Sequence, residues 1–568
     1  VRPDRLRRLG AGLLLVIVLS SAALEPALSS AGPERAASPP GAFPSGDSVT
    51  PPADSSTAPP EVPRILSVYP NPVAPEDRGE YVVLELPSTQ QNYTLSDGET
   101  TVSVPDATGL VAISTTPNRT RNLTDNSVRP LEGRLSLANS GERLELRQNR
   151  STLDTLSYPT APEGERLQPV ETARREPGHE WQPLGATTFE QSVTRDAEVT
   201  TFAVPDAPSP AIRAVDSATR RIHVGAYTLA SGELADALER AHNRGVDVRI
   251  VLEGGPVGGV EEASERVLTN LNDSGIPVTV IDGPFSRYRF HHPKYAVIDD
   301  EVLVASENWG PSGLGGRGHR GWAAIVESPT LATDLEAIFR ADTRWRDGVA
   351  WPAYRQRTEF QNGSADGGES YPARFPARTV TADRAELVAA PDNAEGRVIE
   401  LLQSAETSID IQVVYADRDH PFIREAVAAA RRGVRVRVLL GGAWYTREAN
   451  AKLARELNER ATREGLALEA KLAEPRSRYS SVHVKGLIVD REHVLVGSMN
   501  WNNVSVRENR EVALLLSGDN VGSYYHRLFL ADWRGGAWRV PVGTLLILVL
   551  GLTGVTALFR RELTFEQR

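Results

Sequence analysis

The chain has 568 residues, a hydrophobic content of 40% and a net charge of -11, enough for three or four ordinary domains or for one large duplicated unit with appendages. Acidity on this scale speaks against a dedicated nucleic-acid binder, whose surface must neutralise phosphates, while leaving room for a local basic patch. The absence of cysteine excludes disulfides, thiolate catalysis and cysteine-ligated metals.

At the N-terminus an arginine-rich start, an apolar stretch from Leu13 to Leu19 and small residues near Ala23 and Ala31 predict a secretory signal over 1–31. Residues 32–63 are a Pro/Ser/Ala-rich tract that cannot bury enough apolar surface to order itself, and read as a tether. From 64 to 190, short alternating runs such as "EYVVLELP", "RLSLAN" and "ERLELRQ" are separated by Gly, Asn, Asp and Pro, the pattern of a small all-β immunoglobulin-like sandwich. "GEYVVLEL", "LANSGERLEL" and the late Trp181 resemble a lamin-tail domain, which implies an accessory or binding module and names no active residue.

Beyond residue 200 the texture becomes α/β. "RRIHVGAYTL" predicts a strand, "ELADALERAHNRG" an amphipathic helix, "VDVRIVLEGG" a buried strand and "EEASERVLTNLNDSG" a helix. The same order returns in "TSIDIQVVYA", "PFIREAVAAARRG", "VRVRVLLGG" and "ANAKLARELNERATREG". Tyr227 matches Tyr415, Gly245 matches Gly433, Ser286-Arg287-Tyr288 matches Ser477-Arg478-Tyr479, His292 matches His483 and Trp309 matches Trp501, at slowly drifting spacing. This is a duplication, with halves at 200–347 and 386–535, a polar linker at 348–385 and helices packed on a central sheet. "VPVGTLLILVLGLTGVTALF" at 540–559 carries no charge and is followed by Arg560 and Arg561, which predicts a single membrane span with the folded part outside the cell. Seven Asn-x-Ser/Thr tripeptides agree with export.

Only four lysines occur among the 63 basic residues, Lys294, Lys452, Lys471 and Lys485. Two of them fall in a repeated pattern, His-x-Lys-x4-Asp: His292, Lys294 and Asp299 in the first half, His483, Lys485 and Asp490 in the second. In "SVHVKGLIVD" the period of two puts His483 and Lys485 on one strand face. Each motif is followed by a related segment, "ASENW" and "GSMNW", and the second half adds Glu511.

These motifs resemble those of the phospholipase D superfamily over residues 200–535. The resemblance implies an α/β fold of two pseudo-symmetric α-β-α sandwich halves that together build one active site, acting on phosphodiesters without metal or other cofactor. One histidine would form a phosphohistidine and the other would protonate the leaving oxygen and then activate water. Histidine suits both tasks because it titrates near neutrality and its two nitrogens can be assigned separately. By the resemblance the nucleophile falls to His292 and the acid/base role to His483, a choice the symmetry of the motifs leaves open. Lys294 and Lys485 would clamp the phosphate oxygens, with Ser306, Asn308, Ser498 and Asn500 as further donors. Asp299, Asp490 and Glu511 would hold the histidines or lysines in place, since a carboxylate aimed at phosphate repels it.

The first half departs from the pattern. Pro293 separates His from Lys, Ala305 replaces the usual glycine, one residue is missing before it, and Gly321 stands where Glu511 stands in the second half. The retained His292, Lys294, Asp299, Ser306 and Asn308 favour an active enzyme. Among other candidates, His291 points to the opposite face and reads as structural, His319 lies near the first motif, and Arg287 and Arg478 are steering groups or solvated loop residues with equal standing. The expected substrate is a phospholipid headgroup phosphodiester, hydrolysed or transferred to another alcohol, because the span keeps the enzyme beside lipid. Nucleic acid is the alternative substrate. A non-catalytic surface-binding protein with a degenerate first half is the reading from a different class.

Overall fold

The computed structural model describes residues 62–535 apart from 88–91, 122, 134, 172–176, 188, 190, 283–286 and 363–367. The expected signal, most of the tether and the span at 540–559 lie outside these residues. Among the described residues, no helix is long and apolar enough to cross a membrane.

The N-terminal region is a sandwich of two sheets. One has six strands in the order Pro177–Pro183, Glu165–Glu171, Arg64–Tyr69, Tyr81–Leu86, Gly109–Ser114 and Ser127–Pro130; the other has four, centred on Tyr93–Ser96 and Glu142–Gln148. Their inward residues, among them Val68, Val82, Leu84, Leu95, Leu144 and Leu146, form one core, as period-two alternation requires. Trp181 packs edge-on against Tyr158.

The rest is built on one continuous sheet of fifteen strands. In the first half these are β1 (Val193–Val204), β2 (Arg221–Ala226), β3 (Asp247–Glu253), β4 (Val278–Ile281), β5 (Lys294–Ile298), β6 (Glu301–Ala305), β7 (Gly321–Glu327) and β8 (Gly348–Ala350). In the second they are β9 (Arg378–Ala390), β10 (Ser408–Val413), β11 (Arg435–Leu440), β12 (Leu468–Leu472), β13 (Lys485–Val489), β14 (His493–Gly497) and β15 (Glu511–Ser517). The order is β8-β4-β3-β2-β5-β6-β7-β1-β9-β15-β14-β13-β10-β11-β12. Helices pack on both faces, and the two halves mirror one another about the β1–β9 pair.

The motif strands β5 (KYAVI) and β13 (KGLIV) are buried at every position, which explains their unbroken apolar runs after the lysine. The helices obey local signals. The helix Gly232–Asn243 is capped by the Ser231 hydroxyl, which accepts from Leu234 N, and Pro329–Arg344 by Ser328 in the same way with proline in its first turn.

The interval 348–385, expected to be a linker, contains β8, the short helix Trp351–Arg355 and the first eight residues of β9. Trp351 and Tyr354 belong to the first half's core. The outer part of β9 alternates with exposed Arg and Thr side chains, so its sequence looks polar although its backbone is paired with β1. The seam between the halves is therefore a strand ladder.

Candidate active site

Both motif histidines sit just before their strands and are stitched to the opposite half by main-chain hydrogen bonds. His292 N donates to Arg510 O at 3.0 Å and Arg510 N to Phe290 O at 3.0 Å; in the other direction His483 N donates to Arg320 O at 2.9 Å and Arg320 N to Ser481 O at 2.8 Å. The two arginines are buried anchors. Arg510 pairs with Asp342 and Asp392 and lies over the Tyr288 ring, while Arg320 pairs with Asp206 and Asp532 and lies over the Tyr479 ring. Removing either carboxylate pair would strand a buried guanidinium. Each histidine is thus placed by the other half.

The acids follow the same exchange. Glu511, at the start of β15, takes Nδ1 of His292 at 2.8 and 3.0 Å and also accepts from Asn509 Nδ2 at 3.0 Å. On the other side Glu307 Oε2 lies 3.4 Å from Nδ1 of His483, and His483 Nδ1 is 3.1 Å from Ser306 O. Glu307 is the acid whose absence the sequence suggested. It comes from the end of β6, where the second half has Met499, and not from position 321, where the second half has Glu511. Gly321 makes room for it: a Cβ there would overlap Cγ and Oε1 of Glu307 and come within 2.6 Å of Cδ. The carboxylate has changed its point of attachment and kept its place.

Lys294 Nζ donates to His292 O at 2.5 Å and stands 5.0 Å over the Tyr227 ring, which meets His292 edge-on. Lys485 Nζ lies 2.9 Å from His483 Nδ1 and from His483 O. Asn308 and Asn500, at equivalent posts, each keep a buried Oδ1 without a protein hydrogen-bond partner. The serines sit at the strand ends. Ser306 Oγ accepts from Trp322 N, which leaves its own O–H able to donate, whereas Ser498 Oγ both accepts from Val512 N and donates to Val512 O; both hydroxyls tie a strand end to its neighbour.

Asp299 and Asp490 are not at the site. Asp299 accepts from Thr219 N and Oγ1, Arg220 N and Arg221 N. Asp490 accepts from Glu406 N, Thr407 N and Oγ1, and Ser408 N. Both lie in left-handed turns, with φ of 51° and 53°, past the far end of the motif strand, and fasten the start of β2 or β10. The expectation that they hold the histidines or lysines is corrected: each carboxylate neutralises three open main-chain donors. Arg287 and Arg478 are buried and paired with Asp342 and Asp532, so they are not steering groups. His291 reaches the same Asp342.

Burial sets the protonation states. It lowers His483 to about 3, helped by Lys485 and opposed by Glu307, and holds His292 well below its ordinary value with Lys294 and Lys485 adding to the effect. Burial also lowers Lys485, to about 8, against the pull of Glu307 and Glu511. It raises Glu511 to about 7, with Lys294 opposing. For Glu307 burial acts upward, but His483 and His319 outweigh it and keep the carboxyl below its usual range. Burial also holds Lys294 well below its ordinary value, with Glu511 opposing and Lys485 adding to the effect. At neutral pH the site holds two uncharged imidazoles, each with Nδ1 turned to a carboxylate, beside two buried lysines whose amines a phosphodiester anion would favour in the charged form.

A family model described as "Cardiolipin synthase, PLD-like domain" matches residues 211–343 and again 398–533. The chain belongs to the phospholipase D superfamily. Its halves are two phospholipase D-like domains, and the superfamily acts on phosphodiester bonds. Similar solved structures include phosphatidylserine synthase from Haemophilus influenzae Rd KW20, 15% identical over 58% of this chain and 86% of that one, with a TM-score of 0.44. A phospholipase D family member, Nuc, from Salmonella typhimurium is 25% identical over 28% of this chain and 98% of that one, with a TM-score of 0.24. Polyphosphate kinase from Porphyromonas gingivalis is 15% identical over 59% of this chain and 50% of that one, with a TM-score of 0.38. No curated protein matches the chain.

Within the phospholipase D-like pair, Glu307, Tyr227, Asn509, Arg320 and Arg510 are the site residues that sequence reasoning passed over. The signal for Glu307 was present, since "ASENW" carries an acid where "GSMNW" carries an apolar residue and Gly321 leaves a matching gap.

Proposed function

We propose that this chain is an extracellular phosphodiesterase, held to the membrane by its segment 540–559, that cleaves phospholipid headgroups through a phosphohistidine. Neutral His292, its Nδ1–H held by Glu511, presents Nε2 to phosphorus. The P–N bond forms as the P–O bond to the leaving alcohol breaks, and that oxygen takes a proton from His483. Binding of the anion between Lys294 and Lys485 raises the imidazole's proton affinity, and ionised Glu307 supports the imidazolium. Water, or a second alcohol in transphosphatidylation, then gives its proton to His483 and displaces the phosphoryl group from His292. Glu307, charged on its own account, suits the histidine that must carry charge.

The observation that favours lipid over nucleic acid is the rim of the site. The loops after β3 and β11 carry Val257, Trp444 and Tyr445, exposed by 80%, 89% and 56%. Val257 N donates to Tyr227 Oη at 2.6 Å, which ties this rim to the ring beside His292. Exposed aromatic tips of this kind suit insertion among headgroups and offer phosphates no charge.

The test uses the full chain in detergent, treated with chelator, against phosphatidylcholine and phosphatidylglycerol vesicles, plasmid DNA and a chromogenic phosphodiester. Turnover of vesicles, with a phosphorylated histidine trapped on the peptide containing His292, is expected. Cleavage of DNA alone would replace the lipid reading with the nuclease one, and no turnover of any substrate would refute the enzyme.

A further inference from the structure

His319 is the residue by which the two catalytic posts differ most. Its equivalent in the second half is Asn509, which donates an amide hydrogen to Glu511 at 3.0 Å. The first half offers an imidazole instead. Nδ1 of His319 stands 3.4 Å from Glu307 Oε2, the same oxygen that lies 3.4 Å from Nδ1 of His483, and the two imidazoles stack with ring centroids 5.5 Å apart. Glu307 is 1% exposed, yet neither of its carboxylate oxygens has a protein hydrogen-bond partner. A buried carboxylate in that condition calls for an explanation.

The distances supply one. A tetrahedral ion with ligands at about 2.0–2.1 Å has ligand-to-ligand edges of about 3.4 Å, the separation between Glu307 Oε2 and each imidazole nitrogen. All three ligand atoms fall within 4.8 Å of one another. We infer that Glu307, His319 and His483 form a binding site for a divalent transition ion such as Zn2+, with the fourth position open. Two imidazoles and one carboxylate are a donor set that such ions accept. Of the three ligands His319 also lines a cavity of about 250 Å³, together with Asn308 and Tyr227, and an ion reaching this cavity would meet the His319 ring first. Lys485 Nζ, 2.9 Å from His483 Nδ1, has to swing aside, and its four-carbon stem permits this.

The consequence rests on the function proposed above. A metal on Nδ1 of His483 leaves Nε2 carrying its only proton, and giving that proton up would create a metal-bound imidazolate. The group would cease to shuttle protons, so the ion would inhibit. Its occupant differs from any catalytic metal, because the phosphate contacts lie with the lysines.

The full chain in detergent, stripped with chelator, is titrated with Co2+ and then with Zn2+. One Co2+ per chain with the visible spectrum of a four-coordinate ion, displaced by Zn2+, is expected. His319→Asn, which installs the residue found at 509, and Glu307→Gln should each weaken binding by about 100-fold or more, with circular dichroism confirming that both fold. An ion that does not bind the wild type, or that binds His319→Asn with unchanged affinity and spectrum, overturns the inference. This readout is independent of turnover, so a chain inactive on every phosphodiester would leave it standing.

Discussion

Gly321→Ala tests whether Glu307 truly occupies the place of the acid that position 321 lacks. The added Cβ overlaps Cγ and Oε1 of Glu307 and lies within 2.6 Å of Cδ, and Glu307, 1% exposed, has no solvent into which to retreat. The carboxylate must leave the two imidazoles or β7 must shift. Overpacking of this kind costs about 1–3 kcal/mol, visible as a lower melting temperature. Loss of the carboxylate beside the acid/base histidine removes an assistance of the general acid–base class, about 10²-fold or more in kcat. The assay is turnover of a chromogenic phosphodiester by the full chain in detergent, with thermal unfolding followed in parallel. The decisive companion is Gly321→Glu combined with Glu307→Met, which copies Glu511 and Met499 of the second half and should recover most of the loss. Wild-type kcat and melting temperature in Gly321→Ala would refute the reasoning. So would a double variant that is well folded and as inactive as the single one.

Asp490→Ala should destabilise the chain by about 2–3 kcal/mol, because three main-chain donors lose a charged acceptor, while kcat per folded molecule stays near wild type; a large fall in kcat alone would restore the aspartate to the site. The Asp490 carboxyl is lowered by its main-chain donors, with burial acting the other way. Its contribution is therefore present above the unfolded value near 4 and lost as pH falls, so the gap between wild type and variant should close below about pH 4 in denaturant melts. Lys485, lowered to about 8 by burial, should give kcat/KM an alkaline limb near pH 8 as the phosphate clamp loses charge. The unfolded chain holds that proton more tightly, so the lysine costs stability below about pH 8 and the cost is relieved as pH rises toward 10.5. Lys485→Met should accordingly abolish turnover and raise the melting temperature at pH 7, with a smaller gain at pH 9.5. Trp444→Ser with Tyr445→Ser should weaken turnover of vesicles and spare the chromogenic substrate; equal losses on both would remove the rim from lipid recognition.

The duplication, the α/β order and the histidine–lysine pair were legible because each leaves a periodic trace: matched strands, matched helices, and two rare lysines two residues after a histidine. The role of Asp299 and Asp490 was misread for a reason the same periodicity contains. Five residues past the lysine, at about 3.3–3.4 Å each, the aspartate is a full strand length from the site. Glu307 is hidden from a position-by-position comparison of the halves, because they share where the carboxylate ends up and not the residue that carries it. The seam escaped notice because the outer part of β9 alternates with exposed polar residues, although its main chain is paired. Gly321, a departure from the second half's pattern in the sequence, becomes intelligible only beside the side chain that fills its space.

The β1–β9 ladder carries a consequence for how such a site can be adjusted. Gly321 is registered against Val204 at the end of β1, and Glu511 against Ala390 at the end of β9, so the separation of the two catalytic posts is counted in strand residues. A slip of one residue would turn every core side chain outward, and the smallest slip that keeps the faces is two residues, about 7 Å. Spacing is thus digital: the backbone admits no small correction between the imidazoles. Fine adjustment is left to side chains alone, and the transplanted glutamate and the extra imidazole are the forms it has taken here.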